Sequence, residues 1–128
     1  MASSYRIDKA QRIVYSTYSG VVTYSVISAI YDALKTDPDF DPTFNAMAYY
    51  DETVDAQLSL QDLRRLGEVE LYAPTSKRAV VMHGRHLAYT LAVTYEALLK
   101  GKSEERVRVF DHRSDALNWL GLADDSSE

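Results

Sequence analysis

The chain has 128 residues, which fits one domain, and its 46% hydrophobic and 26% charged residues are ordinary for a soluble protein. It contains no cysteine, which excludes disulfides and thiolate zinc sites, and its net charge of −5 disfavours binding to duplex DNA. No signal peptide is visible, and no apolar run approaches the roughly 20 residues of a membrane span. We therefore expect a cytoplasmic protein with no membrane span and no nucleic-acid partner.

The first third of the chain predicts a β-hairpin followed by a helix. Residues 5–7 and 13–18 are β-prone runs separated by a polar stretch, which favours an antiparallel hairpin. Gly20 ends the second strand, and Thr23 is a suitable N-cap for a first helix. The predicted buried stripe of this helix comprises Val26, Ile27, Ile30, Tyr31 and Leu34. Two prolines stop the helix, so residues 36–44 are predicted to form a loop.

The middle of the chain predicts a strand, a loop and a second helix. Residues 45–51 are rich in small and aromatic side chains and predict a third strand, whereas the polar residues 52–57 predict a loop. Ser59 and Asp62 have the spacing of a capping box, which indicates the start of a helix. Gly67 leaves the end of this helix open, either at that glycine or as far on as about Leu71.

The segment from 77 to 100 predicts the strand, turn and helix around which the rest of the domain is arranged. Residues 77–82 end in an unbroken apolar run, as expected of a parallel strand that is covered on both faces. Gly84 permits a tight turn, and apolar residues then recur at helical spacing from 85 to 100.

The C-terminal part predicts an edge strand and a short last helix. Arginine and valine alternate from 106 to 109, which indicates a strand with one solvated face at the edge of a sheet. Asp111 or Ser114 is expected to cap the last helix, which Gly121 stops. Trp119 on this helix is expected to be a core anchor.

The order of predicted elements is β-β-α-β-α-β-α-β-α. This alternation predicts a single α/β domain with a mainly parallel sheet of four to five strands, an antiparallel first strand and four helices. We expect the domain to span residues 5–121. Residues 1–4 and the acidic tail, residues 122–128, are expected to be disordered.

Both ends of this predicted domain carry a family resemblance. In residues 19–23, a glycine ends the hairpin and Val-Thr opens a helix. In residues 107–120, a Val-Arg-Val-Phe strand is followed by an alanine and a Trp-Leu pair. These motifs resemble the SpoIIAA-like family, bacterial domains related to the anti-sigma-factor-antagonist (STAS) and lipid-binding Sec14-like folds. The resemblance implies a strand–helix superhelix over residues 5–121 and usually no enzymatic activity.

One segment departs from the pattern of that family. True antagonists carry a phosphorylatable serine beside a glycine just after the third strand, whereas residues 51–55 are Asp-Glu-Thr-Val-Asp. A phospho-switch is therefore not expected, and Thr53 is the only candidate hydroxyl. The resemblance implies a non-catalytic regulatory or protein-interaction module. The alternative, by analogy with Sec14-like relatives, is a small apolar-ligand or lipid-binding protein.

The candidate ligand site is the predicted turn formed by His83, Gly84, Arg85 and His86, together with Asp51. Ligands of open α/β sheets collect beyond the carboxyl ends of the strands, and a helix N-terminus offers free N–H groups to an anion. A small anion is the expected guest, although a polar surface turn without a ligand is the commoner outcome. Two histidines and one carboxylate are too few to predict a metal site, and no nucleotide-binding or nucleophile motif is present, so we expect no cofactor and no catalytic residue.

Tyrosine is the predominant aromatic residue, with ten copies in the chain. Most tyrosines are expected to lie at the edges of the core. Tyr15 and Tyr49, however, would lie on adjacent strands of a sheet face that helices do not fully cover. Because tyrosine suits interfaces, we expect a homodimer formed through this sheet face or through an edge strand.

Overall fold

A computed structural model of the protein describes residues 3–67, 69, 71–82 and 106–122. Within these ranges the chain forms seven strands and three helices. The strands are β1 (Ser4–Asp8), β2 (Ile13–Tyr18), β3 (Val21–Thr23), β4 (Asn45–Tyr50), β5 (Asp55–Gln57), β6 (Lys77–Val81) and β7 (Arg106–Phe110). The helices are α1 (Tyr24–Lys35), α2 (Leu60–Gly67) and α3 (Arg113–Leu120). Four helices were predicted, and the third of them, at 85–100, lies outside the described residues.

The main sheet has five strands in the order β1-β2-β4-β6-β7. β1 pairs with β2 in antiparallel orientation, and the other neighbours are parallel. This arrangement confirms the predicted α/β fold with a mainly parallel sheet and an antiparallel first strand. It also confirms that β7 lies at a sheet edge.

A second, two-stranded sheet was not predicted. β3 pairs with β5 in parallel, and the Asp55 N–H donates to the Gly20 carbonyl over 2.8 Å. Gly20 has a φ of 68°, so it lets the chain turn sharply after β2. The prediction of a loop over 52–57 is therefore wrong for residues 55–57. Three polar or small residues carry no strand pattern by themselves, and only the pairing with β3 makes them a strand.

The helix boundaries confirm three of the predicted caps and correct one expectation. The Thr23 hydroxyl accepts a hydrogen bond from the Val26 N–H, and Ser59 and Asp62 form the reciprocal bonds of a capping box at 3.0 Å each. Gly121 ends α3 in the left-handed region with a φ of 81°. The cap of α3 was wrongly predicted, because His112 occupies that position and makes no side-chain hydrogen bond. α2 ends at Gly67, the earlier of the two ends that the sequence left open.

Alternate residues of the strands point to opposite faces of the main sheet, and each face has its own core. The α1 face is the side covered by α1 and α2, and its buried residues are Val14, Tyr18, Val22, Ile27, Ile30, Leu34, Phe44, Ala46, Val54, Leu66 and Leu71. The α3 face is the opposite side, and its buried residues are Ile13, Met47, Ala79, Val81, Ala116, Leu117 and Leu120. Trp119 is half-buried against the α3 face, so it lies at the margin of this core and not at its centre.

Candidate functional site

Of the predicted site residues, Asp51 is the one that the described part of the chain contains. His83, Gly84, Arg85 and His86 lie outside the described residues. Tyr50 ends β4, so Asp51 stands at the carboxyl edge of the sheet, beside the end of β6. This is the edge at which ligands of open α/β sheets bind, as the prediction for Asp51 required.

Asp51 is engaged in a local turn. Its Oδ1 accepts hydrogen bonds from the Thr53 N–H (2.8 Å) and the Thr53 hydroxyl (2.6 Å). Its own N–H donates to the Tyr18 carbonyl over 3.1 Å, which extends the alignment of β4 with β2 by one residue. The carboxylate therefore has a structural role, and its negative charge opposes an anion at this point of the edge.

The Thr53 hydroxyl is also engaged, although Thr53 is exposed. It donates to Asp51 and accepts a hydrogen bond from the Gly20 N–H over 3.0 Å, so it joins the β2–β3 turn to the β4–β5 turn. A phosphoryl group on this oxygen would remove its donated hydrogen bond and place a dianion beside the Asp51 carboxylate. This geometry supports the prediction that the segment is not a phospho-switch, which stays a prediction.

Among the described elements, α3 is the helix that packs on the α3 face, and it covers only part of it. α3 packs on β4, β6 and β7, and the β1–β2 side of the same face carries Ser4, Arg6, Tyr15 and Thr17. Ser4, Arg6 and Thr17 are exposed, and Tyr15 and Tyr49 are half-buried. We call the five residues Ser4, Arg6, Tyr15, Thr17 and Tyr49 the open surface.

The open surface is organised by a cation–aromatic contact. The Arg6 guanidinium carbon lies 4.3 Å from the centre of the Tyr15 ring, directly across the β1–β2 ladder. Tyr49 pairs with Thr17 one step further along the strands. This arrangement confirms that Tyr15 and Tyr49 lie on adjacent strands and on one face of the sheet, which the described helices do not fully cover. The neighbouring Arg6 was not singled out in the sequence, although strand alternation on a hairpin could have placed it there.

A second group of cations and aromatic rings lies beside α3. The Trp119 ring is 5.7 Å from the Phe110 ring, and Lys77 and Arg108 lie 5.5 and 5.8 Å from its centre. The Lys77 ammonium group also donates to the Trp119 carbonyl over 3.2 Å. These contacts hold the C-terminal end of α3 against β6 and β7.

The α1 face contains three tyrosines, Tyr18, Tyr31 and Tyr72, whose phenol groups lie in or beside the core. The sequence patterns did not predict this cluster. Burial raises the pKa of Tyr18 far above its usual range, and it also raises the pKa of Tyr31 and of Tyr72. The Arg78 guanidinium lies 5.6 Å from the Tyr72 ring and partly offsets the rise in the pKa of Tyr31 and Tyr72. All three phenols are therefore neutral at pH 7 and serve as packing groups, not as proton acceptors.

The described residues hold no cluster of three or more His, Cys, Asp or Glu side chains suited to a metal ion. Across the same residues, no helix has the length and apolar character needed to cross a bilayer.

Comparison with known proteins identifies the fold. No family model matches the sequence, and no curated protein matches it. The chain is similar to the crystal structure of an uncharacterized protein of the DUF3478 family from Shewanella loihica, which has a SpoIIAA-like fold. The TM-score is 0.59 at 18% sequence identity, over 93% of this chain and 94% of the other. The chain therefore has a SpoIIAA-like, mainly parallel α/β fold.

Proposed function

We propose that the protein is a non-catalytic, cytoplasmic interaction module of the STAS-like type that binds a polypeptide partner through the open surface. The observation that carries this proposal is the exposure of Ser4, Arg6 and Thr17 beside two half-buried tyrosines, on a face that the described helices cover only in part. Tyrosine and arginine are enriched where proteins bind one another, because they combine apolar area with polar ends. Here the two residue types are stacked on a rigid sheet, where little side-chain entropy remains to be lost on binding.

The regulatory mode of phosphorylated antagonists does not suit this chain. The Asp51–Thr53 turn joins the ends of β2 and β4 through the Thr53 hydroxyl. A module built this way binds through a preformed surface and is regulated by the availability of its partner.

Two other functions have less support. A carrier of lipids or apolar ligands would have to open the α1 face, whose interior is occupied by large buried side chains such as Tyr18, Leu34 and Phe44. An enzyme would need a catalytic group that is free to exchange protons with a substrate, and Asp51, the candidate site residue that the structure describes, has its Oδ1 engaged in hydrogen bonds from Thr53.

Native mass spectrometry of the chain purified from its own host tests these alternatives. A defined polypeptide bound in a fixed ratio is the result we expect. A retained lipid would replace the proposal with the carrier function, and a bound metal ion would replace it with an enzyme. A chain that carries no polypeptide, even after chemical cross-linking in cells, would contradict the proposal.

A further inference from the structure

The first strand forms one edge of the main sheet. β1 is terminal in the strand order and pairs with β2 in an unbroken register from Ser4 to Asp8. It contains no proline, and its continuous register contains no bulge, so it lacks two of the devices that keep edge strands from pairing with other chains. No described strand pairs with the outer side of β1, so this edge can accept another strand.

The charges on β1 select one way of pairing with a second copy of itself. In an antiparallel pair with a twofold axis at Ile7, Arg6 lies opposite Asp8 of the second copy. The symmetry repeats this pair, so Asp8 also lies opposite Arg6 of the second copy. Directly opposed side chains are about 5 Å apart at their Cβ atoms, so opposite charges there are favourable. An axis at Arg6 would instead place the two arginines opposite each other.

The faces of the strand agree with this register. Tyr5 and Ile7 pack against the core of the α1 face, whereas Arg6 and Asp8 lie on the other side of the strand. A twofold axis perpendicular to the sheet keeps the α1 faces of both copies on the same side. Ile7 would then meet Ile7 of the second copy on the α1 face, and the Arg6–Asp8 pairs would form on the opposite face. Tyr5 would lie opposite Lys9, which follows the strand.

The opposite edge of the sheet does not offer the same match. The sequence of β7 has arginine at positions 106 and 108. An antiparallel self-pair centred on Val107 would place Arg106 opposite Arg108 of the other copy, and a pair centred on Arg108 would oppose that residue to itself. Like charges in directly opposed positions are destabilising.

We propose that the protein forms a homodimer by antiparallel pairing of two β1 edges about a twofold axis at Ile7. The pairing joins two five-stranded sheets into one continuous sheet. It also places the open surfaces of the two copies side by side. The dimer does not depend on the proposed polypeptide partner, so either can fail without the other.

A single cysteine tests the axis directly. The chain has no cysteine, so Ile7→Cys introduces one thiol, which would face its own copy across the axis. The Cα separation in antiparallel pairs, about 4.5–5.5 Å, lies within the range that a disulfide spans. We expect mild oxidation to convert most of Ile7→Cys to a covalent dimer. Ser4→Cys, which is more exposed but three residues from the axis, should stay monomeric on a denaturing gel.

A charge exchange tests the register without a new bond. Light scattering of the wild-type chain at high micromolar concentration should give twice 14.5 kDa. Arg6→Asp and Asp8→Arg should each raise the dimer dissociation constant by about tenfold or more, and the double variant should restore it. Arg64→Asp, at an exposed position on α2, should leave it unchanged.

Asp8→Arg also removes the acceptor of the hydrogen bond from the Gln11 N–H. The double variant carries the same loss, so restored dimerisation in the double variant would be due to the charge pairing alone. A wild-type mass of 14.5 kDa would overturn the proposal. Equal cross-linking of Ile7→Cys and Ser4→Cys, or a folded double variant that stays monomeric, would also overturn it.

Discussion

The two faces of the main sheet are built from the same strands and differ in how they are closed. On the α1 face, two helices and the β3–β5 pair cover a core that includes Val22 and Val54. On the α3 face, the described part of the chain provides one helix of eight residues, which covers part of the sheet beside the open surface. Among the described residues, the α1 face has the larger buried core and therefore contributes more to stability, whereas the α3 face leaves room for recognition.

The polar contacts of the two faces differ in the same sense. On the α1 face, Tyr18 is buried and Tyr72 half-buried, and burial raises the pKa of both, so their phenols stay neutral. On the α3 face, Arg6 and Arg108 are exposed and lie over aromatic rings. One sheet can therefore combine a sealed core with an accessible surface, because side-chain direction alternates along every strand.

The largest expected effect is on the α1 face. Leu34 is only 2% exposed, and Leu34→Ala should lower the free energy of unfolding by roughly 2–5 kcal/mol, since it removes buried methyl groups and leaves a cavity. Leu60→Ala is the matched control, because Leu60 is 42% exposed and should cost less than about 1 kcal/mol. Urea denaturation followed by circular dichroism measures both. Equal losses for the two variants would contradict the sealed core.

A smaller loss is expected at the margin of the α3 face. Because Trp119 is half-buried, Trp119→Ala should cost about 2 kcal/mol, below the range for a fully buried tryptophan. Trp119→Phe should recover part of the loss through its contact with Phe110. Thermal unfolding of the two variants measures the difference, and an unchanged midpoint for Trp119→Ala would show that this residue does not hold α3 in place.

The capping box on α2 should contribute less than either core. Ser59→Ala removes the side-chain acceptor of the Asp62 N–H and should cost about 1 kcal/mol. Ser25→Ala is the control, since Ser25 is exposed within α1 and has no cap to lose. If chemical denaturation gives the two variants the same stability, the capping box is not an energetic feature of α2.

The weakest expected effect is on the pH dependence of stability, through two aspartates in the loop after α1. Hydrogen bonds from the Asp39 N–H and the Tyr5 hydroxyl lower the pKa of Asp37, and bonds from the Thr43 N–H and hydroxyl lower the pKa of Asp41. A lowered pKa in the folded state stabilises the protein above the unfolded value of 3.8, and this contribution is lost as the pH falls through the folded pKa. The double variant Asp37→Asn/Asp41→Asn should show a flatter stability profile below pH 4 than the wild type. Coinciding profiles would contradict the shifts.

Much of the fold could be predicted from local sequence patterns, which involve residues close together in the chain. The hairpin, the helix at Thr23, the capping box and the alternating edge strand were predicted because their patterns repeat over a few residues. The β3–β5 pair could not be predicted, because its six residues become strands only when a chain turn at Gly20 brings them together. The cap of α3 was wrong for a related reason, since Asp111 and Ser114 both have cap-forming side chains and nothing local decides between them and His112.

Sequence patterns predicted only part of what the structure shows at the candidate site. The predicted position of Asp51 at the carboxyl edge was confirmed, but its bonds to Thr53 depend on a turn that the sequence pattern does not specify. Tyr15 and Tyr49 were placed together by strand alternation. How much of their face α3 covers depends on tertiary packing, and no repeating sequence pattern predicts that.

The most direct test of the account compares one substitution on each face. Thr17→Arg places a large charged side chain on the open surface, and Ser25→Arg places the same side chain at an exposed position of α1. Both variants should fold with wild-type stability, because neither residue is buried. In a pull-down from host cells against the partner identified by mass spectrometry, Ser25→Arg should retain the partner and Thr17→Arg should lose it. Retention by Thr17→Arg together with loss by Ser25→Arg would place recognition on the α1 face and contradict the account.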